Sequence, residues 1–286
     1  MSKKIASPET ILARFGCPCD EVARLADRHT CVVQSWLSTR APQAERFEGL
    51  GVTAGSSGLK VDLLNLALGC DFPAEVDDEA ITAEIEAIKT FFAHREVPWR
   101  WWIGPYSSPT DIDNRLARQQ VILRSRLPTM AAPLWPGAPL SDTFPPLNPE
   151  VQVWLASDQS DLQAASHIRR IAFRFPEGEA HDYFEAMAGD WLRADPARLF
   201  LARLGAGPPA AIGALIMGAG LPGVYIMATL PAWGRRGLGK AIMARIVSEA
   251  AAAGHPMLTL TAGDQGYGLY RQFGFEHLFD YSIFSV

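Results

Sequence analysis

Three glycines set among basic residues, Gly234-Arg235-Arg236-Gly237-Leu238-Gly239-Lys240, separate an almost wholly apolar run at 224–229 from a helical pattern at 237–253. An apolar run of that length reads as a central strand buried on both faces. In the helix, Ile242, Met243, Ile246, Val247 and Ala250 recur at helical spacing, and Gly254 suits the left-handed position just past its end. Such a strand–turn–helix unit requires a sheet with helices packed on it. It also has a chemical use. Glycine lets a backbone turn tightly and approach a ligand closely. The first N–H groups of a helix have no intrahelical partner, and with the helix dipole they form a site for a phosphate or pyrophosphate. Arg235, Arg236 and Lys240 add positive charge around it.

The flanking sequence supplies further elements. Residues 151–156 alternate like a strand, and 161–175 place Leu162, Ala165, Ile168, Ala172 and Phe175 on one helical stripe. A second helix is expected over 178–194, and antiparallel strands over 198–204 and 210–218. A strand at 256–261, a short helix at 266–273 ended by Gly274, and closing strands at 275–284 complete the order. The first half echoes it with a strand at 58–68, a helix at 77–93, a strand at 99–103 and a helix at 111–119. Ile81, Ile85, Ile88 and Phe92 share one face of the first of those helices. Leu116-Ala117-Arg118-Gln119 parallels Leu269-Tyr270-Arg271-Gln272, which favours a diverged internal duplication with Ala117 opposite Tyr270. Between the halves, prolines 128, 133, 136, 139, 145, 146 and 149 mark a linker or extended crossover. The expected organisation is thus 1–127, a proline-rich 128–149, and 150–286.

Composition narrows the function. A 286-residue chain with 48% hydrophobic residues has enough material for one large domain or two smaller ones. Its net charge is −5 and its Lys and Arg residues are dispersed, so no nucleic-acid partner is expected. No apolar window reaches membrane-span length and residues 1–10 lack a signal-like apolar stretch, so no membrane partner and a cytoplasmic location are expected. Cys17, Cys19, Cys31 and Cys70 read as reduced thiols, and the six histidines share no ligand spacing, so no metal is assigned. Trp99, Trp101 and Trp102 read as core or interface fillers rather than an acceptor cage.

Two families of phosphate binder use glycines in this position. Residues 234–241 nearly fit the P-loop pattern, but Ala241 stands where a hydroxyl would hold Mg²⁺, and only 45 residues follow it. The other match is specific. Gly234-x-x-Gly237-x-Gly239 after a buried strand resembles the acetyl-CoA signature Q/R-x-x-G-x-G/A of the GCN5-related N-acetyltransferase (GNAT) family. Ala228-Thr229-Leu230-Pro231 resembles the strand exit in many bacterial members. About thirty residues on, Leu269-Tyr270-Arg271-Gln272-Phe273-Gly274-Phe275 is similar to the family's L-Y-x-x-x-G-F.

That resemblance implies an acyl-CoA N-acyltransferase (GNAT) α/β fold with a mixed, largely antiparallel sheet flanked by helices, in two tandem GNAT-like halves. It implies acetyl-CoA as cosubstrate, with the strand and turn residues Met227, Ala228, Thr229, Arg235, Arg236, Gly237, Leu238, Gly239 and Lys240 at its binding site. Backbone groups of Met227 and Thr229 would pair with the pantetheine arm. The amides of the turn would hold the pyrophosphate. Tyr270 would act as general acid on the departing thiolate, since a phenol with a pKa of about 10 is protonated at neutral pH. The acceptor would be a primary amine of a small molecule or peptide, acetylated directly. Two departures stand out: Gly234 replaces the family's Gln/Arg, and Gly263 replaces an Asn often found seven residues before the tyrosine. Strand 224–229 also lacks the Glu that often serves as base, leaving Glu177, His181, Glu185 or a water chain. The alternatives to acetyl transfer are a non-catalytic acyl-CoA sensor and a transferase of longer acyl groups. The first half, with acidic 71–78 where the second has its glycine turn, reads as a degenerate copy that completes the acceptor pocket.

Overall fold

The computed structural model describes residues 3–134, 146–193 and 195–286. Residues 135–145 of the expected linker and Ala194 of an expected helix therefore lie outside the described residues. Two helices open the chain, α1 (Pro8–Phe15) and α2 (Cys19–Ser38). The side chain of Ser7 accepts from the Thr10 N–H, Pro8 sits at the first helical positions, and Gly16 closes α1 in the left-handed region at φ 72°. Next come β1 (Glu45–Glu48), β2 (Thr53–Ser56), β3 (Asn65–Leu68), α3 (Asp78–Ala93), β4 (Arg100–Ile103), α4 (Ile112–Arg118) and β5 (Ile122–Pro133). The second half adds β6 (Val151–Leu155), α5 (Gln159–Phe173), the short α6 (Ala188–Trp191), β7 (Ala197–Leu204), β8 (Ala211–Gly218) and β9 (Leu221–Thr229). It ends with α7 (Leu238–Ala252), β10 (Met257–Thr261), α8 (Asp264–Gln272) and β11 (Glu276–Ser285).

The chain divides into two compact units: a smaller one of Cys31–Leu127 with Asp280–Val286, and a larger one of Pro128–Phe279 with the chain up to Thr30. In the smaller unit the strand order is β1-β2-β3-β4-β11, with β3 parallel to β4 and the rest antiparallel. Its core holds the α3 stripe Ile81, Ile85, Ile88 and Phe92 against Trp99 and Trp101. Trp99 stacks on Phe92 at 4.7 Å, and Trp102 meets Tyr281 at 5.4 Å, so all three tryptophans are packing residues. Buried Glu84 on α3 accepts the backbone N–H groups of Leu50, Gly51 and Val52, pinning the turn between β1 and β2. The strand expected at 58–68 is confined to β3. The preceding loop is instead wound about Asn65, whose Nδ2 donates to the carbonyls of Leu59, Val61 and Pro98.

In the larger unit the order is β5-β10-β9-β8-β7-β6, with β9 and β10 parallel. Helix α7 packs on β6 through β9, and α5 on β8 and β9. Residues 178–193 do not form the expected helix. Left-handed Gly178 (φ 83°) and Ala180 (φ 52°) turn the chain, and only a 3-10 turn at Glu185–Met187 and α6 follow.

The two halves repeat one order, β3-α3-β4-α4-β5 and β9-α7-β10-α8-β11, with one parallel pair in each. The first residues of the expected linker are strand. Residues 129–133 pair antiparallel with β10, Thr129 opposite Thr261 and Pro133 opposite Met257. Proline is tolerated there because Pro128 precedes the paired stretch and Pro133 ends it, so neither removes a donor from its middle. The exchange is reciprocal, since Ser282–Phe284 of β11 pair with β4. Each unit is thus closed by a strand from the other half of the sequence. The repeat also shifts the expected alignment by one residue. The Val121 N–H donates to Leu116 O as the Phe275 N–H donates to Tyr270 O, each after a left-handed residue, Gln120 or Gly274. Leu116, not Ala117, is the counterpart of Tyr270.

Candidate functional site

Strands β9 and β10 are paired only at Gly223–Thr259 and Val224–Leu260. Beyond Val224 they part. The cause lies in β9. Its register with β8 slips between Ile212 and Ala214, and Ile226 adopts φ 54°, the left-handed conformation of a β-bulge. Past the bulge, Leu230 N–H donates to Ala210 O. Backbone groups alternate along a strand, so Ala228 and Leu230 face β8, while Met227 and Thr229 face the side that β10 has left. Ala228, expected with the site, is therefore committed to the β8 ladder and its side chain is buried.

After β9 a short 3-10 turn, Pro231–Trp233, leads to Gly234, and the chain then passes left-handed Arg235 (φ 61°) and Gly237 (φ 91°) into α7. Gly237 is the N-cap, and no side chain among the described residues caps the helix. The first intrahelical bond is Ala241 N–H to Gly237 O at 2.9 Å. The amides of Leu238, Gly239 and Lys240 consequently have no helical acceptor. Arg235 and Arg236 are exposed. The Arg236 guanidinium lies 5.1 Å from the Trp233 ring, and its carbonyl accepts from Asn148 Nδ2. A Cβ placed on Gly239 would lie 3.8 Å from Thr229 Oγ1, 3.9 Å from Leu269 Cδ2 and 4.0 Å from Met227 Cε. The end of β9, the start of α7 and the middle of α8 therefore meet at Gly239. The uncapped amides, the flanking cations and the open strand edge suit a pyrophosphate with an extended amide-bearing arm.

Tyr270 follows Leu269 on α8. It is buried beside Gly266 and Phe275, in one apolar cluster with Leu238, Ile242 and Tyr267. Burial pushes its hydroxyl up to about 12. Of the candidate bases, Glu177 and His181 are exposed, and Glu185 accepts from the Ser166 hydroxyl. The thiols of Cys17 and Cys19 are raised, first by burial and then by the neighbouring Glu21 and Asp20, which leaves them poor nucleophiles. No group of metal-ligating side chains occurs among the described residues, and none of their helices is long and apolar enough to cross a membrane.

The sequence held no signal for His29, yet α2 carries it to the same strand. His29 is wholly buried, its Nδ1–H donates to Gly218 O at 2.8 Å, and its ring lies against Tyr225. Burial depresses its pKa to about 4, so it is neutral at pH 7. A Cβ on Gly223 would come within 2.2 Å of His29 Nε2, so glycine is required there by packing. Gly223→Ala is expected to destabilise the protein by about 1–3 kcal/mol, the range for an overpacked core, measured by urea unfolding. An unchanged unfolding midpoint would show that His29 has room to move.

Comparison with known proteins follows this geometry. Residues 151–268 match the family model described as an acetyltransferase (GNAT) domain, a match that ends just short of Tyr270. A solved GCN5-related N-acetyltransferase from Kribbella flavida is 20% identical with a TM-score of 0.66, covering 92% of this chain and 94% of that one. One from Sphaerobacter thermophilus is 14% identical with a TM-score of 0.59, covering 99% and 94%. A tandem GNAT protein from the clavulanic acid biosynthesis pathway is 12% identical with a TM-score of 0.61, covering 93% and 95%. At these identities the likeness is one of fold. Among curated proteins, none matches the sequence. Residues 151–268 thus match the acetyltransferase (GNAT) domain model, in a chain whose fold is similar to that of a tandem GNAT protein.

Proposed function

We propose that the larger unit binds acetyl-CoA and transfers its acetyl group directly to a primary amine of a small molecule or peptide. The observation that carries this reading is the coincidence of two openings at Gly239. The edge of β9 is unpaired with β10 at Met227 and Thr229, and three amides stand uncapped at the start of α7. The amides of Leu238, Gly239 and Lys240 hold the pyrophosphate, with Arg235 and Arg236 beside it, and the arm pairs with Met227 and Thr229 as an added strand. The amine nitrogen attacks the thioester carbon, the new C–N bond forms and the C–S bond breaks. Tyr270, kept protonated by its burial, gives its proton to the departing sulfur. The proton lost by the amine passes to water, and Tyr270 is reprotonated from solvent. One observation favours a second reading, a non-catalytic acyl-CoA sensor: β9 contains no acidic residue to serve as base. Acetyl-CoA consumption with a panel of primary amines separates the two.

The smaller unit is proposed to be a degenerate copy without a site of its own. Its corresponding helix start is already satisfied, because Asp77 accepts from the Ala80 N–H and Asp78 and Glu79 fill the first turn. Those carboxylates repel a pyrophosphate. Calorimetry with acetyl-CoA is expected to give one site per chain. Two equivalent sites would overturn the degenerate-copy reading, and no binding at all would overturn acetyl-CoA as the cosubstrate.

A further inference from the structure

A buried arginine without a counter-charge among the described residues lies on the layer that covers β8 and β9. Arg169 projects from the inner face of α5, next to Ile168, and is 6% exposed. Its Nε and Nη1 have no hydrogen-bond partner among the described residues. The rings of Tyr183, Phe175 and Phe184 surround its guanidinium at 4.1, 5.5 and 5.6 Å, the Tyr183 hydroxyl accepts a hydrogen bond from it, and no carboxylate among the described residues pairs with it. A guanidinium stays ionised when buried, so the usual escape of losing the charge is closed to it. Aromatic faces and the Tyr183 hydroxyl offset part of the lost hydration, but two guanidinium nitrogens remain unmatched. A buried charge with its partner missing is strongly destabilising, and an anionic ligand would supply that partner.

We propose that Arg169 is the anchor for a carboxylate on the amine acceptor, so that the acceptor is an amino-acid-like molecule. This rests on the acetyltransferase reading above. Three features define the ligand's chemistry. Two N–H donors call for oxygen acceptors. A single positive charge matches a monoanion better than a phosphate dianion. Three enclosing rings favour an apolar group next to the carboxylate. The position fits as well, because α5 packs on β9, the strand that opens to form one wall of the split.

The test on the full-length protein begins without acetyl-CoA, so its outcome does not depend on catalysis. Benzoate and the neutral, equally shaped benzamide serve as probes of thermal unfolding at constant ionic strength. At ten times its dissociation constant benzoate is expected to raise the melting temperature by about 3 °C, and benzamide to leave it unchanged. Arg169→Met is expected to abolish the response, and Arg169→Lys, which keeps a charge but loses the fork, to weaken it. Equal responses to benzoate and benzamide, none to either, or a full benzoate response in a folded Arg169→Met would overturn the site. Paired amines with and without a carboxylate, offered with acetyl-CoA, then test its role. The carboxylate-bearing member is expected to have a KM lower by tenfold or more, and Arg169→Met to remove that difference. Preference for the uncharged member would overturn the acceptor assignment. Acetylation of neither would sink the transferase reading, and the benzoate result alone would then judge the site.

Discussion

Gly239→Asp is expected to weaken acetyl-CoA binding by at least ~100-fold, about 2.7 kcal/mol, measured by calorimetry on a variant shown to be folded. The side chain would place bulk and negative charge where the proposed pyrophosphate meets the first amides of α7. Gly239→Ala sharpens the test. A methyl at this position would sit 3.8–4.0 Å from its nearest protein neighbours, an ordinary contact distance, so the fold itself accepts it. Weakened binding by Gly239→Ala at unchanged stability would therefore report a ligand in that space. Gly237→Asp is expected to lose binding too, but it informs less. At φ 91°, with Asn148 Cβ 3.3 Å from any added Cβ, it strains the backbone whatever the ligand does. Wild-type affinity in both folded Gly239 variants would place the pyrophosphate elsewhere.

Tyr270→Phe is expected to lower turnover by ~10²–10⁴ while changing acetyl-CoA affinity little, because the proton is given up in the transition state and not on binding. The substitution keeps the ring that packs on Gly266 and Phe275, so packing is preserved. The pH profile adds a second readout. Burial moves the Tyr270 hydroxyl up to about 12, so the phenol stays protonated well above neutrality. Activity should therefore not fall through ionisation of Tyr270 near pH 10, where an exposed tyrosine titrates. Wild-type turnover by Tyr270→Phe, with chemistry shown to limit the rate, would return Tyr270 to the core and leave the donor unassigned.

The candidate site was legible because its signals are local. Gly234, Gly237 and Gly239 mark a turn by backbone geometry alone. The stripe Ile242, Ile246 and Ala250 marks the helix behind it, and Leu269 to Phe275 a second short helix with its glycine stop. Each is settled within a few residues, so propensity and periodicity suffice. For the same reason the order β9-α7-β10-α8-β11 and its fainter copy β3-α3-β4-α4 could be read before any contact was known.

What could not be read depends on partners distant in the chain. The prolines at 128 and 133 suggest a linker until β10, more than a hundred residues on, supplies the ladder that makes 129–133 a strand. In the repeat, the alignment of Leu116 with Tyr270 appears only in matching hydrogen bonds after each helix, because the three identities between 116–119 and 269–272 point to the neighbouring register. His29 and Arg169 carry no motif. One is significant because Gly223, far along the chain, leaves room for its ring, and the other because three aromatic rings close round it with no carboxylate among the described residues. Glycine turns and helical stripes are properties of neighbouring residues, and the sequence states them. Strand exchange and the burial of a charge are properties of contacts across the chain, and they exist only once it has folded.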